Sequence, residues 1–300
     1  MSVLALLIAL ALERGLTRLF RLREPRWLDA YFDRASRALG RGGGGLTLVG
    51  AALTVLLPVL PVAIVDRALG SHLLGVPHFA FAVVVLLLSL GPRDLRDEVD
   101  DYVAALERGD RDEAGRRANE LLEGDAASRG AGRREAIEEA IFVQANNRIF
   151  GVIFWFVVLG PAGAWAFRIS DLMRRRAAFE SARRGAATMP PGQGAPALLH
   201  GLLAWIPARL AAGAYALAGS FEDALGSWRI AVDRAAEGLL DRTEDLLARV
   251  GKASLQPGLA GLDAASLDVA TASGAWRIVA RAAWIWLVVV ALLVLAGTVV

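Results

Sequence analysis

The stretch LTLVGAALTVLLPVLPVAIV, Leu46–Val65, decides the fold class, because it carries no charged side chain over a length that matches the hydrocarbon core of a bilayer. A helix crossing lipid needs roughly 20 largely apolar residues, and every backbone N–H and C=O must bond within its own segment. Pro58 and Pro61 break that pattern and predict a kinked helix whose freed carbonyls are satisfied by neighbours. Working outward, a short turn with Asp66, Arg67 and Gly70 leads to a second span, Leu73–Leu90. Ile149–Phe167 reads as a third and Ile278–Val300 as a fourth, with Trp276, Trp284 and Trp286 expected as interface anchors.

Composition points the same way. Of 300 residues, 55% are apolar, whereas soluble domains hold about 45–50% even with Gly counted. The chain has no Cys, which excludes a disulfide framework, a thiolate zinc site, a catalytic thiol and an iron–sulfur centre. His72, His78 and His200 are too scattered for a metal cluster, so neither a metal nor another cofactor is expected. A net charge of +2 gives no field that would draw the chain to nucleic acid. The expected environment is the lipid bilayer.

Two apolar segments are weaker. Ser2–Leu12 stops at Glu13 and Arg14; it suits a half-buried helix or a short span continued through Leu16, Leu19 and Phe20, and the missing basic n-region argues against a secretory signal. Pro196–Gly219 is interrupted by His200, Pro207 and Arg209, so it spans, re-enters or packs inside the bundle. Between the apolar segments lie charged ones. Glu13–Arg41 is rich in Arg, and Arg93–Arg148 mixes acids and bases at helical spacing. In the latter, Val99, Tyr102, Val103 and Leu106 share a face, Asp97, Glu98, Asp100 and Asp101 fall largely on another, and Gly109-Asp110 breaks a helix–turn–helix arm. Glu222–Ala275 begins amphipathic and ends as a polar linker.

The fold expected is therefore all-α: a polytopic membrane helical bundle with cytoplasmic helical arms. Its sections are an N-terminal membrane segment with an Arg-rich loop and helical hairpin over 1–91, a charged arm over 92–148, central membrane helices with a polar pocket over 149–219, an amphipathic helix and linker over 220–275, and a C-terminal span over 276–300. Arginines set the orientation: both Arg-rich stretches flanking the first pair of spans should face the cytoplasm. The third span conflicts with this, since it runs into Arg168, Arg174, Arg175, Arg176, Arg183 and Arg184. Either Ile149–Phe167 and Pro196–Gly219 do not both cross fully, or a tightly packed pair overrides the rule.

Gly40, Gly42 and Gly45 spell G-x-G-x-x-G without the strand that a dinucleotide site requires, and read as a linker. Polar residues inside apolar surroundings carry more information. Gln144, Asn146, Asn147 and Arg148 lead into the third span after Glu135, Glu138 and Glu139, and such groups at a membrane boundary line a pocket or bond to a partner helix. Trp205-Ile206-Pro207-Ala208-Arg209 puts a guanidinium one turn from an indole. Arg209 is expected to be buried on a carboxylate or carbonyls, with Glu139 the candidate acid, and Ala208, Ala212 and Ala216 to admit a close helix.

A longer pattern joins these features: Glu13-Arg14 before an Arg-rich Leu-Asp-Ala-Tyr-Phe stretch, Asn146 and Arg148 before Phe154-Trp155, Gly160-Pro161, and a block from His200 to Trp228 with Trp-Ile-Pro-Ala-Arg-Leu at its centre. Over nearly its whole length the chain resembles the AmpE family of bacterial inner-membrane proteins, related to the CobD/CbiB amide synthases of the cobalamin pathway. The resemblance implies a regulatory modulator of cell-wall-recycling-linked signalling and β-lactamase induction, with a small-molecule or protein signalling partner. The related synthases imply an alternative, ATP- and Mg²⁺-dependent amide-bond formation. Against it, Glu139 can stand for the first synthase acid, but Val143, Gln144 and Asn147 occupy the rest of that pattern, and His200, Gly201 and Ala204 stand where the synthases carry Asp and Asn. Neutral amides do not neutralise Mg²⁺ as carboxylates do. With the acids Glu13 and Glu24, the pocket residues expected are Glu139, Gln144, Asn146, Asn147, Arg148, His200, Trp205 and Arg209. No catalytic residue is assigned, and the pocket is expected to persist without the synthase activity.

Overall fold

The computed structural model describes residues 26–39, 47–70, 76–90, 95–122, 132–183, 194–233, 239–255 and 263–296. Glu13, Glu24, His72, the Ser2–Leu12 segment and the Gly40–Gly45 run lie outside them. The described residues are 95% helical with no strand, so the backbone is bonded within its own segments as lipid requires. In chain order the helices are α1 (Arg26–Leu39), α2 (Leu48–Gly70), α3 (Val76–Leu90), α4 (Leu95–Glu107), α5 (Arg111–Leu122), α6 (Arg133–Ala145), a π turn (Asn146–Phe150), α7 (Gly151–Arg183), α8 (Ala195–Ala218), α9 (Phe221–Asp233), α10 (Leu239–Ser254) and α11 (Ala264–Leu295). Five helices among the described residues are long and apolar enough to cross a membrane, and the protein is multi-pass.

Kinks and breaks follow the prolines and glycines. Pro58 and Pro61 both lie inside α2; Pro58 has no N–H for the Thr54 carbonyl four residues back, and the Tyr31 hydroxyl donates to that carbonyl at 2.8 Å, a neighbour supplying the donor that the interrupted helix lacks. Thr54 and Ser89, both buried, turn their hydroxyls back to the Gly50 and Val85 carbonyls, at 2.8 and 2.7 Å, so neither is left unpaired in the apolar interior. In the arm, Gly109 takes φ +70 and Asp110 caps α5, its Oδ1 accepting from Glu113 N–H at 3.0 Å. Hydrogen bonds from Arg116 and Arg117 hold the Glu113 carboxyl below its ordinary range.

The expected third span is not one crossing. At Gly160 the backbone leaves the helix with φ 67 and ψ −158, a combination essentially restricted to glycine. There the chain reverses. A Cβ on Gly163 would collide with the Trp155 carbonyl, and one on Gly151 with the Phe167 ring; sixteen residues of straight helix would hold the latter pair about 24 Å apart. The limbs before and after Gly160 therefore pack antiparallel as a hairpin. Its tip meets α2, with Asp66 Oδ2 3.8 Å from a Cβ built on Gly160. The reversal returns Arg168–Arg176 to the side that holds Gln144–Arg148 and α1, where Arg176 pairs with Asp33 at 2.9 Å. This removes the charge conflict of the sequence reading, since the arginines no longer sit beyond an odd crossing.

Helix α8 packs inside the bundle, across the hairpin. Near one end His200 lies 3.3 Å from Asn147, and near the other Tyr215 donates to the Phe142 carbonyl at 3.0 Å and meets Phe150 edge to face. Fifteen residues of α8, about 22 Å of rise, thus begin and end against the short stretch from Phe142 to Phe150 in α6 and the π turn, so α8 crosses that stretch at a steep angle. Ala204, Ala208, Ala211 and Ala212 are fully buried in that crossing, and small residues let backbones approach in this way. Trp286 is buried against Phe150, ring centroids 5.3 Å apart, rather than serving as an interface anchor. Trp284 is exposed as expected.

Candidate functional site

Where the π turn, the returning limb of α7 and the start of α8 meet, the bundle encloses a polar cluster. The π turn makes it possible. Gly151 N–H bonds to the Asn146 carbonyl, five residues back, and the wider turn re-aims consecutive side chains where a regular helix would spread them. Asn146, Asn147 and Arg148 are all buried there, each below 7% exposure. Arg148 turns to the arm and donates to Glu98 Oε2 at 2.9 Å. Asn147 turns to α8 and His200, and Asn146 Nδ2 donates to Asn147 Oδ1 at 3.2 Å. Gln144, one turn earlier, donates to the Leu121 carbonyl at the end of α5.

His200 is wholly buried. Ser170 Oγ lies 2.7 Å from the Phe167 carbonyl and 3.0 Å from His200 Nδ1, bridging the returning limb of α7 to the imidazole. Beside it, Asp171 is fully enclosed and binds guanidinium on both oxygens: Arg174 at 3.0 Å on Oδ1, Arg168 at 3.2 Å and Arg175 at 2.8 Å on Oδ2. His200 Nε2 lies 3.9 Å from the same carboxylate. Arg174 reaches on to Glu244 of α10 at 3.5 Å. A buried charge survives only when compensated in this manner. Three amide atoms, Gln144 Oε1, Asn146 Oδ1 and Asn147 Nδ2, have no hydrogen-bond partner among the described residues. In a low-dielectric interior such atoms favour a polar guest, water or ligand.

The structure gathers Gln144, Asn146, Asn147, Arg148 and His200, and places the other candidates elsewhere. Glu139 pairs with Lys252 of α10 at 3.1 Å, where Arg209 was expected. Arg209 is only half-buried and lies on the outward face of α8, its Nη1 donating to the Trp205 carbonyl at 2.9 Å and its plane 3.9 Å from the Trp205 ring. The alanine face of α8 turns inward, and Trp205 and Arg209 are carried outward with the opposite face. Sequence reading missed Ser170, Asp171, Glu244 and Glu98. Asp171 was detectable: it is the one acid between Glu139 and Glu180, spaced three and four residues from Arg168, Arg174 and Arg175. Glu98 falls in the sequence with Asp97, Asp100 and Asp101, largely on the face away from Val99 and Tyr102, yet it is buried against Arg148.

A family model described as regulatory signalling modulator protein AmpE matches residues 1–300. The chain belongs to the AmpE family. Protein AmpE of Shigella flexneri is 29% identical over 247 residues, covering 76% of this chain and 78% of its relative. Two relatives carry the name cobalamin biosynthesis protein CobD. One, from Stutzerimonas stutzeri, is 32% identical over 174 residues, 58% of this chain, and the match spans only 55% of the relative's length. The other, from Chromobacterium violaceum, is 28% identical over 240 residues, 76% of this chain and 73% of the relative. No solved structure matches the chain. The features that an AmpE-family chain of this sequence brings together are thus the π turn, the Gly160 hairpin and a histidine-centred cluster that α8 closes.

Proposed function

We propose that the chain acts in the bacterial inner membrane as an AmpE-like modulator of cell-wall-recycling-linked signalling and β-lactamase induction, through a small-molecule or protein partner. One observation supports this over catalysis: the carboxylates beside the cluster and the candidate acid Glu139 are engaged by cations. Asp171 holds Arg168, Arg174 and Arg175, Glu98 holds Arg148, and Glu139 holds Lys252. Condensation driven by ATP would need one or two carboxylates for Mg²⁺ and another group to position or deprotonate the amine. The second reading, an amide-forming synthase, is favoured by the two CobD-named relatives.

Deleting the chain's gene in a host with an inducible β-lactamase, then restoring it, tests the first reading against the second. The unaltered chain is expected to return the induction ratio to that of the parent, and His200→Asn at equal membrane abundance to return less of it. An induction ratio indifferent to the gene refutes the modulator. In parallel, purified protein is expected to form no product from ATP, adenosylcobyric acid and aminopropanol phosphate above a no-enzyme control. Product that disappears in Glu139→Gln establishes the synthase instead.

The orientation proposed has α1, the α4–α5 arm and the arginine end of the hairpin in the cytoplasm. The chain has no Cys, so labelling is unambiguous. A Cys in place of the exposed Arg111 is expected to resist an impermeant maleimide applied to the periplasm and to react once the membrane is opened; labelling in unopened cells reverses the topology.

A further inference from the structure

The outward face of α8 is apolar along its length: Leu198, Leu202, Ile206 and Leu210 are 41, 51, 45 and 49% exposed. One charge stands among them, Arg209. Its guanidinium has five N–H groups, of which Nη1 bonds to the Trp205 carbonyl while the plane lies 3.9 Å from the indole. Among the described residues no carboxylate pairs with it. In water this would be unremarkable. Here the surrounding leucines belong against acyl chains, and a guanidinium in that setting needs an anion.

The depth of α8 says which anion. Helix α11 runs alongside α6 and the π turn, joined by Arg134–Asp268 at 2.5 Å and by Phe150 on Trp286. That register sets Asn147, and with it the α8 crossing, just beyond Arg281. Arg281 is the last charged residue before the uncharged run that completes α11, and its Nη1 donates to the carbonyl of Ala218 at the end of α8, 3.4 Å away. The level at which charge gives way to an apolar span is the level of lipid phosphates. The stacked indole holds the guanidinium plane open to a bidentate phosphate.

We propose that Arg209 and Trp205 form a binding site for the phosphate of an anionic membrane lipid, with its acyl chains along Leu202, Ile206 and Leu210. Full-length protein in neutral detergent tests this by thermal midpoint, with phosphatidylglycerol, phosphatidylcholine or inorganic phosphate added at equal phosphate concentration. Phosphatidylglycerol is expected to raise the midpoint saturably and well beyond phosphatidylcholine, and inorganic phosphate to leave it unmoved. In Arg209→Gln the two lipids should become equivalent, while Arg108→Gln, a control on the arm, keeps the full difference. An undiminished phosphatidylglycerol response in Arg209→Gln overturns the proposal, as does inorganic phosphate reproducing the shift, which would mean a site for free phosphate. If Arg209→Gln does not survive extraction, native mass spectrometry of the unaltered chain decides: one phosphatidylglycerol retained in preference to phosphatidylcholine supports the site, and equal retention removes it.

Discussion

Replacing Asp171 by Asn is expected to destabilise the detergent-solubilised protein by about 3–5 kcal/mol, because breaking a buried ion pair leaves its partners charged and enclosed. The side chain is wholly buried and answers Arg168, Arg174 and Arg175 at 2.8 to 3.2 Å, so one amide would face three guanidinium groups. Water cannot take over at that depth. The loss should far exceed that of Glu139→Gln, whose Lys252 partner is about a third exposed and whose ion pair belongs with surface pairs worth about 1 kcal/mol or less. Thermal midpoints of the two variants measured side by side make the comparison. Equal midpoints would mean that Asp171 does not hold the cluster together.

Gly151→Ala is expected to cost about 1–3 kcal/mol, the range for overpacking a close-packed core. The added methyl would run into the Phe167 ring and sit 3.0 Å from the Asn146 carbonyl. Phe167 cannot yield, being 1% exposed and stacked on His200 with ring centroids 5.1 Å apart. The strain therefore passes to the hairpin and to the histidine at its base. Shortening the ring should relieve it: Phe167→Leu in the Gly151→Ala background is expected to recover stability, although Phe167→Leu alone loses some. Such a sign reversal in a double-mutant cycle reports direct contact. Additive losses would show that the two limbs do not touch there.

The helical membrane class was legible because its cause is local. Uncharged runs such as Leu46–Val65 and the tail of α11 can satisfy their backbones in lipid only as helices, whatever surrounds them. The polar candidates were legible for a related reason: Gln144, Asn146, Asn147, Arg148 and His200 stand out because polarity is costly in apolar surroundings, and all five are buried, although they bond in different directions. Partnership was another matter. Nothing local says that Asp171 is enclosed among the arginines around it, or sets Glu98 apart from Asp97, Asp100 and Asp101, and it is packing that encloses both.

The same division separates Arg209 from Glu139. Each is a charge near an apolar helix, and nothing in their spacing along the chain says that α8 turns one outward while α10 brings Lys252 to the other. The hairpin is the sharpest instance. Gly160-Pro161 announces a break, but whether a broken helix bends or folds back depends on what its limbs can pack against. Gly163 against Trp155 and Gly151 against Phe167 allow the return. The sequence by itself therefore determined the helices, their membrane solvent and the unusual polar residues, all consequences of local hydropathy and backbone bonding. Only the tertiary structure decided direction, facing and pairing, because these depend on contacts between residues far apart in the chain.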